Sequence, residues 1–344
     1  MSIVDDIVGG EFKIDTHLLE NDFDIGVESN FGGREFASGR TALYAILLDL
    51  KSHGYNRILV PDFLCGSIFL PIFSLGLKWE KYHINKNMMP ELSEDCLIPH
   101  STILLINYFG MLDLAEIVSW LKTYGDIKVI IDDVQAYFSK HITNVDYRFI
   151  SLRKWFPVPD GAYVYAEENV LNRLEAFSRK GKFAKYKFAG NLLKNFTAFI
   201  GDDFSLDLIG QGEDEINNDY LVRHTRISNY IMPQLDLERI ANRRKMNARI
   251  LHEALLEMGI THLYSCESVP LFVPILISNR DNVRKVLFQN KLFCPIHWPM
   301  PEVYKDEINP LYDEELSLIC DQRYGEEEMR RQLEVIKSEC NNRR

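Results

Sequence analysis

The chain has 344 residues, of which 46% are hydrophobic and 26% charged, as in ordinary globular proteins. Its formal net charge is −11, from 39 basic against 50 acidic residues, and it carries no basic run. That balance excludes a general binder of nucleic-acid phosphates. At roughly 150 residues per domain the length predicts about two domains. The six cysteines (Cys65, Cys96, Cys266, Cys294, Cys320 and Cys340) are scattered, without zinc-pair spacing or a disulfide framework. A reducing, cytoplasmic setting is therefore expected. No targeting segment is expected, because residues 1–10 hold two adjacent aspartates and no basic n-region. No membrane span is expected either: the longest uncharged stretch, 96–112, contains Pro99, His100, Ser101, Thr102 and Asn107.

In chain order, the first element is a small turn, Ala37-Ser-Gly-Arg-Thr-Ala-Leu43, opening a helix with Leu43, Ile46, Leu47 and Leu50 on one side. Short apolar runs at 57–61, 102–107, 128–133 and 161–165 predict strands. Leu114, Ile117, Val118 and Leu121 fall at helical spacing between the second and third. Apolar runs ended by polar residues suit strands buried on both faces, so an α/β class with a mainly parallel sheet is expected. Residues 180–230 are polar and irregular, suiting a linker, a lid or an inter-subunit loop. A long amphipathic helix follows over 236–258, with Gly259 as its C-cap. An apolar run at 271–277 and helices at 282–289 and 326–340 complete a smaller α+β unit. The expected division is a large domain over 1–230 and a small one over 231–344.

Three places carry chemistry. Free backbone N–H groups at Gly39, Arg40 and Thr41 can hold a phosphate, though a helix merely capped by Ser38 has the same sequence. Asp132, with Asp133 and Gln135, ends a very apolar strand and points at the crevice where α/β sheets bind ligands. There it could keep a proton on a heteroaromatic nitrogen, or cap the next turn. Lys154 lies in Ser151-Leu-Arg-Lys-Trp-Phe-Pro-Val-Pro-Asp-Gly161, where apolar neighbours and Arg153 should depress its pKa and free a nucleophilic amine. An ordinary surface lysine is the alternative. Two further sites are candidates for substrate contact. His297 and Trp298 form a rigid edge in Cys294-Pro-Ile-His-Trp-Pro299, or a buried turn. Asp321 could cap the last helix, and Arg323 either binds a carboxylate or merely an acidic neighbour.

In this order and spacing, the three elements resemble the fold type I pyridoxal-phosphate enzymes, and among them the DegT/StrS sugar aminotransferases. Ser38-Gly-Arg-Thr-Ala-Leu43 is similar to the family's Ser-Gly-Thr-x-Ala-Leu turn, Val60-Pro61 and the residues to Ser67 to its next strand end, and Ile131-Asp-Asp-Val-Gln-Ala136 to its Glu-Asp-Ala-Ala-Gln-Ala. Residues 227–251 resemble the long helix that opens its small domain. The resemblance implies a large domain with a mainly parallel sheet between helices and a small C-terminal α+β domain. It implies that Lys154 forms the Schiff base and shuttles a proton, that Asp132 pairs with the pyridine nitrogen and that Gln135 approaches the ring oxygen. Ser151, Gly39, Arg40 and Thr41 would hold the phosphate. It further implies transfer of an amino group from glutamate or glutamine to a nucleotide-linked keto-sugar, in polysaccharide or antibiotic sugar synthesis, by a homodimer.

The chain departs from the family pattern in several places. Ser151 and Lys154 are closer in sequence than usual, and Arg40 replaces a threonine. The ring-stacking position falls on Cys65, with Phe63 as a substitute. The family's asparagine loop has candidates in Asn217, Asn218, His224 and Arg226, and local basic charge is expected from Arg40, Lys154, Arg223 and Arg226. Two alternatives remain open at the sequence level. A lyase or dehydratase on the same fold is one, although the family's dehydratases carry histidine in place of the lysine. A degenerate, non-catalytic binding protein is the other, favoured by Cys65 and by Ala162 where the family has glycine.

Overall fold

In the computed structural model, residues 7–19, 32–140 and 142–341 are described. The strands in chain order are β1 (Val8–Gly9), β2 (Arg34–Phe36), β3 (Arg57–Pro61), β4 (Lys78–Ile84), β5 (Pro90–Glu91), β6 (Ser101–Ile106), β7 (Ile127–Asp132), β8 (Tyr147–Ser151), β9 (Ala162–Tyr165), β10 (Thr261–His262), β11 (Val273–Leu276), β12 (Leu292–Phe293) and β13 (Glu315–Leu318). Eight of them form one sheet in the order β2-β9-β8-β7-β6-β3-β4-β5. Its five central strands, from β8 to β4, are mutually parallel, while β9, β2 and β5 join antiparallel at the edges.

Every residue of β6 is buried, and so is all of β7 except Lys128. The strands read as unbroken apolar runs because helices such as Gly39–Ser52 and Ala115–Leu121 cover the sheet. Ala42, Leu43, Ile46, Leu47 and Leu50 form the buried stripe of the first of these. The four strands expected from sequence are found within a residue of their expected ends. Two central strands carry no such signal. β4 is studded with exposed lysine and glutamate, and β8 buries a charged residue, Arg148.

The chain runs out from β3 to β4 and then back through β6, β7 and β8 on the other side of β3. This reversal opens a crevice at the carboxyl ends of the strands, where Ile106 and Asp132 stand in register.

The C-terminal third builds a second core. β10, β11 and β13 form an antiparallel sheet, and helices Leu237–Met258, Arg280–Gln289 and Glu326–Asn341 pack around it. The first of these helices begins where Asp236 accepts the N–H of Arg239 at 2.9 Å and ends at Gly259, whose φ of +66° is the left-handed cap. β1 pairs with β12, so residues near the amino terminus are stitched to this C-terminal unit.

The region 180–230 is not irregular. It contains helices Phe183–Leu193 and Asp202–Asn218, packed side by side, followed by Arg226–Ile231. The two long helices touch through glycines: a Cβ at Gly190 would stand 2.8 Å from the Ser205 carbonyl oxygen. Such a contact brings backbone against backbone, and the first helix of the pair, Phe183–Leu193, carries only a weak amphipathic pattern.

Candidate functional site

A cavity of about 500 Å³ lies at the carboxyl ends of β6, β7 and β8. Ile106, Asp132 and Ser151 form its floor, and Ser38, Gly39 and Arg40 bring the amino terminus of helix Gly39–Ser52 to one side. Cys65 and residues 66–68 form a second wall, residues 297–301 of the C-terminal third a third, and Glu213, Ile216 and Asn217 of helix Asp202–Asn218 a fourth. Gln135, Arg153 and Lys154 also face it.

Lys154 ends a single helical turn that follows β8. Its exposed side chain lines the cavity, and it has no hydrogen-bond or ion-pair partner among the described residues. Burial, then the positive charge of Arg153, pushes its pKa below the ordinary lysine value. Asp132 accepts the Val134 N–H at 2.9 Å, yet burial pushes its carboxyl up to about 7, with Asp133 adding to the effect. Among the described residues no cationic side chain hydrogen-bonds to it, so a cation or an acidic N–H beside it would be strongly favoured. Gln135 accepts the Phe109 N–H at 3.0 Å, which leaves its amide NH₂ to donate. Ser151 is buried, and Cys65 Sγ lies 3.1 Å from Ser67 Oγ.

Basic charge gathers at one end. Arg40 donates to the Ile216 carbonyl at 2.5 Å, while its buried Nε has no partner. Arg153 donates to Glu213 at 2.6 Å, and Glu213 also accepts from Lys187 at 2.8 Å. Burial opposes ionisation of Glu213, but Arg153 and Lys187 hold its carboxyl well below the usual range. Opposite, His297 is pushed down to about 3 by burial and by Lys154, so its ring is neutral.

The cavity thus gathers Gly39, Arg40, Cys65, Asp132, Gln135, Ser151, Lys154 and His297. Three of the expected contacts are elsewhere. Thr41 is fully buried behind the helix start; its N–H and hydroxyl go to Ser38 Oγ, and the hydroxyl donates to the Tyr220 carbonyl at 2.6 Å. The helix spends this residue on its own cap. Phe63 is fully buried among Tyr108, Trp298 and Tyr312, so Cys65 is the one of the pair that reaches the cavity. Arg323 pairs with Asp321 at 2.7 Å, donates to the carbonyls of Gly10 and Glu11 at 3.1 Å and lies over Phe12: it fastens the amino-terminal segment. Arg223 and Arg226 do not line the cavity; Arg153 supplies the basic charge expected of them. Of the loop candidates, Asn217 lines it, whereas His224 is buried against Asp160.

Sequence reasoning missed Glu213. It sits in the acidic run Glu213-Asp-Glu215, which reads as a solvated helix face. Nothing local reveals that Arg153, 60 residues earlier, folds against it.

No family model matches the chain, and the comparison with curated proteins found no match. Solved structures do match. DesV of S. venezuelae is 14% identical with a TM-score of 0.64, over 89% of this chain and 84% of its own. The E. coli GDP-4-keto-6-deoxy-D-mannose-3-dehydratase with bound hydrated PLP is 15% identical with a TM-score of 0.66, over 89% and 88%. PseC of Helicobacter pylori, an aminotransferase of pseudoaminic acid biosynthesis, is 12% identical with a TM-score of 0.65, over 96% and 98%. The chain shares the fold of these proteins over nearly its whole length, which is the fold type I architecture expected from its motifs.

Proposed function

We propose that the chain is a divergent member of the DegT/StrS group, a pyridoxal-phosphate-dependent aminotransferase that transfers an amino group from an amino acid to a nucleotide-linked keto-sugar. One observation carries this reading: a lysine amine with no partner among the described residues, a buried carboxylate without a cation and the open amino terminus of a helix share one cavity. These residues fit the cofactor. Asp132 would hold the pyridine N–H, which relieves the cost of its own ionisation in a buried place. The N–H groups at Gly39 and Arg40 and the unpartnered Arg40 Nε would hold the phosphate. Ser151 would add a hydroxyl, and Gln135 an amide N–H toward the ring oxygen. When bound, pyridoxal phosphate supplies an electron sink at the amino-bearing carbon.

Lys154 would provide the amine that holds the cofactor and the base that moves the proton at the substrate carbon. Its depressed pKa favours the free amine, the form that acts as a base. The walls from residues 66–68 and 297–301 flank the place where that proton would move. Lys154 favours transfer over the dehydration catalysed by one of the fold neighbours. The small C-terminal unit would close over the substrate, and a homodimer fits the open side beyond Asn217. The test is uptake of pyridoxal phosphate by the purified protein: a visible, covalent absorption band is expected, and Lys154→Ala should abolish it. A wild type that stays colourless with added cofactor sinks the reading.

A further inference from the structure

Behind His297 stands a buried pair of polar residues that the proposed chemistry does not use. Glu315 and Ser317 are alternate residues of β13, so their side chains emerge on one face. That face meets the segment leading to His297, where Ser317 N–H donates to the Pro295 carbonyl at 3.0 Å. His297 Nδ1 lies 2.8 Å from Ser317 Oγ, and Ser317 Oγ lies 2.5 Å from Glu315 Oε1. The other carboxyl oxygen, Oε2, accepts the His297 backbone N–H at 2.5 Å. All three residues are buried, and His297 also lines the cavity.

We infer that Glu315, Ser317 and His297 form a relay in which the proton on Glu315 decides whether His297 Nε2 donates or accepts a hydrogen bond in the cavity. Because Oε2 is taken by a peptide N–H, a proton on Glu315 must sit on Oε1, facing Ser317. It then donates to Ser317 Oγ, the Ser317 hydroxyl donates to Nδ1, and the imidazole carries its proton on Nε2. When Glu315 ionises, both bonds reverse: Ser317 donates to Oε1, Nδ1–H donates to Ser317, and Nε2 presents a lone pair. The Ser317 hydroxyl can pass this reversal on by turning its O–H, since it both donates and accepts.

The surroundings favour the switch. Burial pushes the Glu315 carboxyl up to about 8, against the nearby positive charge of Arg280. Arg280, on helix Arg280–Gln289, spends its Nε on Asp281 at 2.6 Å and donates from Nη1 to the Glu315 backbone carbonyl at 3.2 Å, not to its carboxylate. Cys294 is the other titratable neighbour, and burial pushes its thiol up to about 12. On the cavity side Lys154 faces His297 and helps keep the imidazole neutral. Glu315 is therefore the group that changes charge near neutrality, while the imidazole only exchanges one neutral tautomer for the other. At pH 7 His297 is a donor, suited to an oxygen of the ligand. That use, holding a carbonyl or hydroxyl oxygen of the sugar, rests on the function proposed above; the relay does not.

The experiment is ring-¹⁵N histidine NMR of the full chain without ligand, with His297 assigned by loss of its signals in His297→Asn. The wild type should show the Nε2–H tautomer at pH 6.5 and the Nδ1–H tautomer by about pH 9.5, with the change centred near pH 8. Glu315→Gln, whose amide oxygen takes the peptide N–H and whose NH₂ faces Ser317, should hold the Nε2–H form throughout. Ser317→Ala should abolish the pH dependence, and Ser317→Thr should restore it. A single tautomer unaffected by pH in the wild type, or the same response in Ser317→Ala, overturns the relay. Kinetics with a nucleotide-linked 4-keto-6-deoxy-sugar tests the use. KM should rise about fivefold from pH 7 to 9 in the wild type, as for loss of one neutral hydrogen bond, and stay level in Glu315→Gln, with kcat unmoved. A tautomer switch without turnover of that sugar removes the sugar reading and leaves the relay standing.

Discussion

A carboxylate buried without a cation costs free energy when it ionises, and Asp132 is placed so. Its pKa rises from 3.8 to about 7, so its contribution to stability is present below about pH 4 and is lost as pH rises through 7. At 1.4 kcal/mol per pKa unit the span is roughly 4 kcal/mol. Asp132→Asn should therefore raise the melting temperature of the cofactor-free protein at pH 8 and raise it by less than half as much at pH 5, while weakening uptake of pyridoxal phosphate. An equal effect at both pH values would remove burial as the cause. Asp132 and Lys154 were legible in the sequence because each is polar where its neighbours are apolar. Thr41, Phe63 and Arg323 misled for a related reason. A hydroxyl at a helix start, an aromatic ring after a strand and a lone arginine suit both a ligand and the protein's own packing, and here packing claims all three.

Among the elements, the helix pair Phe183–Leu193 and Asp202–Asn218 sets a fourth wall of the cavity through Glu213, Ile216 and Asn217. Gly190→Ala tests how closely the pair is held. Helix propensity alone would favour alanine by about 1 kcal/mol. The new Cβ would meet the Ser205 carbonyl oxygen at 2.8 Å and Ile209 Cγ1 at 2.6 Å, and a backbone contact cannot swing aside. The steric cost should win, giving a lower melting temperature and, through displacement of Glu213, weaker cofactor uptake. A stabilised variant would mean that the helices separate freely. The regular elements that sequence reasoning located, such as Leu237–Met258 with Asp236 and Gly259 at its ends, carry their signals locally. The helix pair and β8 do not, because glycine contacts and a buried ion pair become meaningful only once distant segments meet.

That ion pair belongs to the scale of the whole molecule. Arg148 on β8 pairs with Asp133, just past the end of β7, and both are almost fully buried. Asp133 also accepts from Asn107, just past the end of β6, at 3.1 Å. Three neighbouring parallel strands are thus tied together beside the cavity floor. Removing one partner of such a pair leaves an uncompensated buried charge, so Asp133→Ala should cost about 3–5 kcal/mol in chemical denaturation. A loss below about 1 kcal/mol would show that water reaches Arg148.

The pairing of β1 with β12 has a mechanical consequence. Residues 7–12 cross from the C-terminal unit toward the cavity: Gly9 N–H reaches Tyr324 Oη at 2.8 Å, Arg323 grips the next two carbonyls, and Glu11 reaches Lys187 at 2.9 Å. Lys187 in turn holds Glu213 against Arg153, beside Lys154. The segment works as a tether between the C-terminal unit and the cavity wall formed by helix Asp202–Asn218. Trimming those few residues would slacken that tether, loosening the two halves of the protein from each other without touching a single group inside the cavity.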